Sequence, residues 1–464
     1  MASTGGDEIS AQHWAMIRAI GRRINLEQFE TFQQQGEQCG WCRHPIRIRG
    51  IVFDRNAESV RPAFSTALLP DGVTLKGCGS RRETRCPACA AVYRADARHL
   101  VRAGLVGGKG VRESIVEHPV VFLTLTAPSF GAVHARAAGG SCHPASSPRS
   151  CRHGRSCSCS TRHDDSSTVI GSPICPECYD YTNAVLQNAC TPELWRRTAI
   201  AMHRQLAALL GCTQAEAQEV VRLSFCRVAE FQRRGVVHLH VVIRADGPEE
   251  TPSPAGIEDL TQAALRAAGT VSVTHPNGVA RWGAQVDIKI VERAEGRRAG
   301  AVAGYIAKYA TKSSEGAGAL DTRIRSEEDL ARRHLAPHLR RMVEMAWDLG
   351  GDPTFQRYRL RRHAHSLGFG GHFLSKSRGY STTFGALRAA RQQWQVDRAR
   401  GGAELPDRSP RARWRAVGIG WANDGEATWA EGQRQRREDE RRCAREATFE
   451  REQRDWPQST EEPL

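Results

Sequence analysis

Residues Arg227–Arg244 read RVAEFQRRGVVHLHVVIR. Apolar runs on either side of Gln232-Arg233-Arg234-Gly235 predict strands over 221–231 and 236–243, joined by a tight turn. Along the second strand, period-two alternation sends His238 and His240 to one face and Val237, Leu239 and Val241 to the other. A hairpin centred at Arg234 sets Glu230 directly opposite His238, with Cβ atoms about 5 Å apart. Two imidazoles and a carboxylate on one face form a three-ligand site for a divalent ion, with positions left for substrate. Mixed nitrogen and oxygen ligation suits Mn²⁺, and Mg²⁺ is the abundant cellular alternative. An HxH strand by itself also suits histidines that only hydrogen-bond, so the metal reading depends on what surrounds it.

Working outward, PVVFLTLT at 119–126 predicts a buried strand ended by Ala127-Pro128, and 284–291 predicts another. A helix is expected over 191–211, capped by Thr191 with Pro192 in its first turn, and further helices over 326–348. A Gly/Ala-rich helix is expected over roughly 299–312. On it Tyr305 and Tyr309 stand at i and i+4, on one face and one turn apart, with Lys308 and Lys312 beside them. A tyrosine oxygen can attack phosphorus. A Lewis acid at the His–His–Glu site would polarise the phosphate, and Lys308 would steady the developing charge.

The chain has 464 residues, a net charge of +15 and a pI near 9.4. A basic balance favours a polyanionic partner. Nearly all of the basic residues are Arg, a skew that coding bias explains, so the six Lys carry more information than the Arg excess. No apolar run is long enough for a membrane helix. No signal peptide is evident, so a cytoplasmic location is expected.

Fifteen Cys in a reducing compartment point to metal ligation rather than disulfides. Cys39-Gly-Trp-Cys42 and Cys86-Pro-Ala-Cys89 form two CxxC knuckles, and two such knuckles complete a tetrahedral zinc site. Cys78 is an alternative ligand there. Cys175-Pro-Glu-Cys178 is a third knuckle without a CxxC mate. Its partners for a second Zn²⁺ are sought among Cys142, His143, Cys151, His153, Cys157, Cys159 and His163. The isolated Cys190, Cys212, Cys226 and Cys443 read as small apolar residues.

FLTLTAPS at 122–129, HLH at 238–240 and YIAKYATK at 305–312 occur in the order of the three motifs of HUH endonucleases, which this chain resembles. The knuckles, ICPECYDYTNAVLQNA at 174–189, PELWRRT at 192–198 and HSLGFGGHFLSKSRGYS at 365–381 are similar to replication initiators of actinobacterial rolling-circle plasmids and integrative conjugative elements. The resemblance covers about residues 37–385. It implies that His238 and His240 ligate a metal, that Glu230 matches an upstream carboxylate ligand, and that Tyr305 and Tyr309 are nucleophiles. It further implies nicking of a single-stranded origin through a 5′-phosphotyrosine, which starts rolling-circle replication.

The expected architecture is α+β: an HUH core with a central antiparallel sheet and flanking helices, a zinc-ribbon-like module and a zinc-bearing insertion. The segments read as an N-terminal helix (1–36), the zinc module (37–100), the core (118–312) with its insertion at 131–180, a helical DNA-contacting extension (313–385) and a charged tail (386–464). Lys312, Lys376, Arg378 and Tyr380 are expected to hold DNA, the aromatic stacking bases and the cations holding phosphates. Packing of 365–384 on the core is the plainer alternative for that segment. GGKG at 107–110 lacks the spacing of a phosphate-binding loop, so a host helicase as well as a host DNA polymerase is implied. The competing readings are a two-tyrosine transposase and a non-catalytic zinc-dependent DNA-binding regulator.

Overall fold

The structure is a computed structural model that describes residues 4–454 except 56–59, 137–139, 145–149, 165, 249–250, 292–301, 307–321 and 400–410. The chain divides into two compact units, one of Arg94–Val396 and one that joins Met1–Tyr93 to Asp397–Leu464.

The smaller unit begins with α1 (Thr4–Asn25) and α2 (Phe29–Gln38). The single helix expected over 1–36 is broken at Glu27, whose φ of 54° lies in the left-handed region. On α1, Ile20 is buried, whereas Trp14, Ile17 and Ile24 are exposed. Strand β1 (Ile46–Arg55) pairs on one side with β2 (Val60–Ser65) and β3 (Thr74–Lys76), and on the other with the C-terminal strand Arg411–Ile419. The helix Asp424–Arg454 follows it. Trp421 stacks on Trp41 at 5.8 Å, its indole N–H donates to the Cys42 carbonyl, and Glu426 accepts from the buried Arg23. The expected charged tail is therefore largely folded structure. Its last strand and helix complete the N-terminal module and do not stand apart from it.

The unit boundary falls within α3 (Pro87–Val106). The larger unit holds β4 (Val120–Leu125), α4 (Tyr181–Leu209), α5 (Gln214–Val220), β5 (Arg222–Phe231), β6 (Val237–Asp246), α6 (Ile257–Thr270), the hairpin β7 (Ser272–His275) and β8 (Gly278–Arg281), β9 (Val286–Ile290) and β10 (Leu374–Lys376). Its main sheet has five antiparallel strands in the order β10-β5-β6-β4-β9, so the protein is α+β with the HLH strand at the centre. The β5–β6 register is regular from Arg222↔Asp246 to Phe231↔Val237 and includes Glu230↔His238. Gly235, at φ 74°, closes the turn, and its N–H donates to the Gln232 carbonyl.

Val237, Leu239, Val241 and Ile243 are buried in the core to which α4 contributes Val185, Leu186, Leu194 and Leu206. Side chains of this type stabilise by about 1.5–3 kcal/mol each when fully buried. Within that apolar layer the α4 residue Asn188 donates to the carbonyls of Gly235 and Leu367 and accepts from the Val237 N–H, so it fixes the hairpin in place. Helix α4 starts ten residues before the expected point, capped by Asp180, and runs through Pro192. Thr191 is an interior residue whose hydroxyl donates to the Gln187 carbonyl. Segment 326–348 forms two helices, Glu327–Ala331 and Pro337–Leu349.

Candidate active site and metal centres

The central strand and its neighbours bring Glu230, His238 and His240 together. Oε2 of Glu230 lies 3.1 Å from His238 Nε2 and 3.2 Å from His240 Nε2. An octahedral ion with metal–ligand bonds of about 2.1 Å has adjacent ligands about 3.0 Å apart, so both separations suit neighbouring ligands of such a shell. His240 is nearly buried, with its Nδ1 3.2 Å from the Thr124 hydroxyl. If Nδ1–H donates to that hydroxyl, the Nε2 lone pair is left for a ligand. Phe122 lies parallel to the His240 ring at 5.8 Å. Both supports come from alternate positions of FLTLT, a part of the site that reading the motif residues alone passed over.

Burial pushes the Glu230 pKa up, but hydrogen bonds from His238 and His240 outweigh it and hold the carboxyl below its ordinary range. Burial also holds His240 below its ordinary value, against the opposite pull of Glu230. Both groups therefore take their ligand forms, anionic and neutral, at neutral pH.

Residues 302–306 are helical. The Tyr305 ring meets His240 edge-on at 5.2 Å and Phe122 at 5.6 Å, and the residue keeps 39% of its surface exposed. Tyr309, Lys308 and Lys312 lie outside the described residues. The segment after 363 packs on the sheet. Strand β10 pairs with β5, and the Lys376 amino group donates to the carbonyls of Ser377 and Ser381. Tyr380 is fully buried; its hydroxyl donates to the Val101 carbonyl and its ring sits under Arg244. The expected stacking of a base on Tyr380 is corrected by that burial. Arg378 is exposed.

Among the described residues, three further groups of Cys and His, beside the Glu230 triad, could hold a metal ion. In a tetrahedral zinc site, Zn–S bonds of about 2.3 Å and Zn–N bonds of about 2.0 Å set ligand edges of about 3.8 Å for S–S, about 3.5 Å for S–N and about 3.3 Å for N–N. Cys42, Cys78, Cys86 and Cys89 meet this geometry, with Sγ separations of 3.6, 3.6 and 3.7 Å along Cys86–Cys42–Cys89–Cys78. Cys39 is not among them. It caps the end of α2, and its thiol donates to the Gly36 carbonyl. Cys78 takes its place in a Gly-Cys-Gly turn after β3, where its N–H donates to the Cys42 sulfur. That glycine-flanked cysteine was the sequence signal for the fourth ligand.

Cys175 and Cys178 gather Cys151 and His153. The Cys151–Cys175 separation is 3.6 Å, and His153 Nδ1 lies 3.3 Å from Cys178. The last group, His134, Cys142, Cys159 and His163, was not foreseen as a set, and His134 belonged to no knuckle.

Among the described residues, no helix is long and apolar enough to cross a membrane. No solved structure matches this chain. Residues 28–435 match the family described as replication initiator protein, pSAM2 (RepSA). A replication initiator protein of Streptomyces ambofaciens is 38% identical over 424 residues, covering 86% of this chain and 88% of that protein. The site geometry and this match over most of its length lead to one assignment: the chain belongs to the RepSA family of replication initiator proteins.

Proposed function

We propose that this initiator is a sequence-specific DNA nickase that opens rolling-circle replication at its origin through a 5′-phosphotyrosine intermediate. The observation that carries the reading is the approach of Tyr305 to the Glu230–His238–His240 triad, with its ring 5.2 Å from that of His240.

In this reading the Tyr305 oxygen attacks the scissile phosphorus of single-stranded origin DNA. A tyrosyl O–P bond forms and the P–O3′ bond breaks. The phenolic proton leaves to solvent, and the departing 3′ oxygen takes up a proton to become the primer hydroxyl. Mg²⁺ or Mn²⁺ held by the triad would withdraw charge from the phosphate. Lys308, four residues before Lys312 in sequence, would offer a cation to the phosphate. Tyr309 is the second nucleophile, cleaving the regenerated origin after one round. Because a phenolate leaves more readily than an alkoxide, the same chemistry runs backwards to close the released strand. Strand separation and synthesis fall to a host helicase and DNA polymerase. The Cys42/Cys78/Cys86/Cys89 and Cys151/His153/Cys175/Cys178 groups hold structural Zn²⁺. Lys312 and Arg378 contact the DNA backbone; Lys376, with its amino group bound to carbonyls, has a smaller share. Membership of an initiator family favours this reading over a transposase.

The test incubates the protein with Mg²⁺ or Mn²⁺ and labelled single strands tiled across the origin, then resolves covalent adducts under denaturing conditions. Wild type should form an adduct, and Tyr305→Phe/Tyr309→Phe and Glu230→Gln should each lose it. No adduct with any strand would falsify the nickase.

A further inference from the structure

Residues 131–180 form no helix or strand among their described positions, only turns and isolated bridges. Such a segment has too little apolar surface to order itself, and metal binding can supply the missing free energy. One Cys/His group gathers Cys151, His153, Cys175 and Cys178. That group ties the tip of the insertion, where Ser150 bridges Ser156, to the knuckle before α4. It holds no residue of the paired segments Cys142–His143 and Cys159–Thr161, nearer the base of the insertion.

The base is where the remaining group lies. His143 and Cys159 exchange two backbone hydrogen bonds, and the Cys142 N–H donates to the Thr161 carbonyl, so two antiparallel segments bring Cys142 and Cys159 side by side. His134 and His163 complete the set. The distances are 3.2 Å for His134 Nδ1 to His163 Nε2, 3.4 Å for Cys159 Sγ to His163 Nε2 and 3.8 Å for Cys142 Sγ to His134 Nδ1. They fall close to the tetrahedral edges of about 3.3 Å and about 3.5 Å for N–N and S–N pairs around zinc. The Ala135 N–H donates to the Cys142 sulfur, as an outer partner of a thiolate does. His143 Nδ1 also approaches Cys142, at 3.1 Å, but it is not one of the four converging atoms. Two thiolates and two neutral imidazoles balance the charge of Zn²⁺, so the filled site would not repel a phosphate.

We propose that His134, Cys142, Cys159 and His163 bind a further Zn²⁺, and that this ion builds one wall of a nucleotide-binding cleft beside the Glu230–His238–His240 triad. His134 is the link. Its N–H donates to the Ser172 carbonyl, its carbonyl accepts from the Gly171 N–H, and Gly171 packs against the backbone of Arg233 at the hairpin tip. A cleft of about 570 Å³ opens there, lined by Pro128, Ser129, His134, Arg136, Arg233 and Arg234 among others. Arg234 is held by the carbonyls of Ala127 and Pro128. Thr126, also on the cleft, follows Leu125, which faces Leu239, so the cleft begins beside His238 in the sheet. Its size suits a small ligand, and its cationic rim suits a nucleotide next to the scissile phosphate. The cleft assignment rests on the nickase reading; the metal assignment does not.

The experiment measures zinc per chain in the purified full-length protein by mass spectrometry of the metal, and ligand type by X-ray absorption. Three zincs are expected, with an average of three sulfurs and one nitrogen each. Cys142→Ser/Cys159→Ser should remove one zinc, Cys151→Ser/Cys175→Ser should remove a different one, and His143→Ala should remove none. A wild type holding two zincs, with more than three sulfurs on average, overturns the site even if the variants misfold. Binding of labelled origin strands is then compared in a Tyr305→Phe/Tyr309→Phe background, where cleavage does not interfere. His134→Ala should weaken it about tenfold. Unchanged binding with one zinc lost overturns the cleft and leaves the metal site standing. Loss of the nickase reading shows itself separately, as missing adducts at full zinc content.

Discussion

Asp246 shows how a single buried charge supports the five-stranded sheet. It sits on β6 on the same face as the histidines, and its oxygens accept from Arg244, Ser224 and the His118 ring. Burial opposes its ionisation, but the hydrogen bonds from Arg244, Ser224 and His118 outweigh it and hold the carboxyl below its usual range. A group with a depressed folded pKa contributes stability above its unfolded value of about 3.9 and loses it as the pH falls through the folded value. Asp246→Asn should therefore destabilise the protein by about 3–5 kcal/mol at neutral pH, because Arg244 is left buried without its counter-charge. The acid limb of its melting curve below pH about 4 should also flatten. Thermal melts of both proteins across that range check this; parallel acid limbs would count against it. Arg244 also lies over Tyr380, which a side chain at Gly104 would strike at 2.2 Å, so both residues belong to packing. Nothing in the pattern around Tyr380 marked it as core, because aromatic and cationic residues alternate in the same way on a binding surface.

At the scale of elements, the hairpin was the most legible part of the molecule. Strand parity and one turn position suffice to place Glu230 across from His238, and the register found is the one they require. The cysteine knuckle was less legible because CxxC spacing does not say whether both thiols face the same way. Gly40 and Trp41, both at positive φ, reverse the chain after α2 and leave Cys39 facing its own helix. Cys39→Ser should thus keep the zinc of this module, whereas Cys78→Ser should lose it. Metal content of the two variants decides, and the opposite pattern would restore Cys39 as the ligand. Helix α4 was misjudged for a related reason. Proline at position 192 is a common first-turn residue, but the helix continues through it with Thr191 and Leu194 buried on either side.

Across the whole molecule, the least legible feature is the return of the chain to its beginning. The last helix is densely charged, and its packed residues, such as Trp429 and Ala430, are few. The strand before it alternates arginine with Trp414, Ala416 and other residues, a pattern that fits an edge strand as well as a solvated arm. The partners of both lie near the N-terminus, and no local signal reports a contact of that sequence separation. A chain ending at residue 396 should keep a protease-resistant core from the larger unit while the N-terminal module is digested and its zinc is lost. Limited proteolysis with metal analysis of the fragments checks this; a resistant, zinc-bearing N-terminal fragment would show that the module stands without its last strand and helix.

That closure also sets an order of events on the ribosome. Arg23 is synthesised 403 residues before its partner Glu426. At about 5–20 residues per second the wait is roughly 20–80 s. Within it the whole of Arg94–Val396 is made and free to fold, while Cys42, Cys78, Cys86 and Cys89 remain in an unfinished module. Their capture of metal in that interval, before the covering tryptophan arrives, would be a step of biosynthesis rather than of the mature protein, and a nascent chain halted early would carry the larger unit without its finished companion.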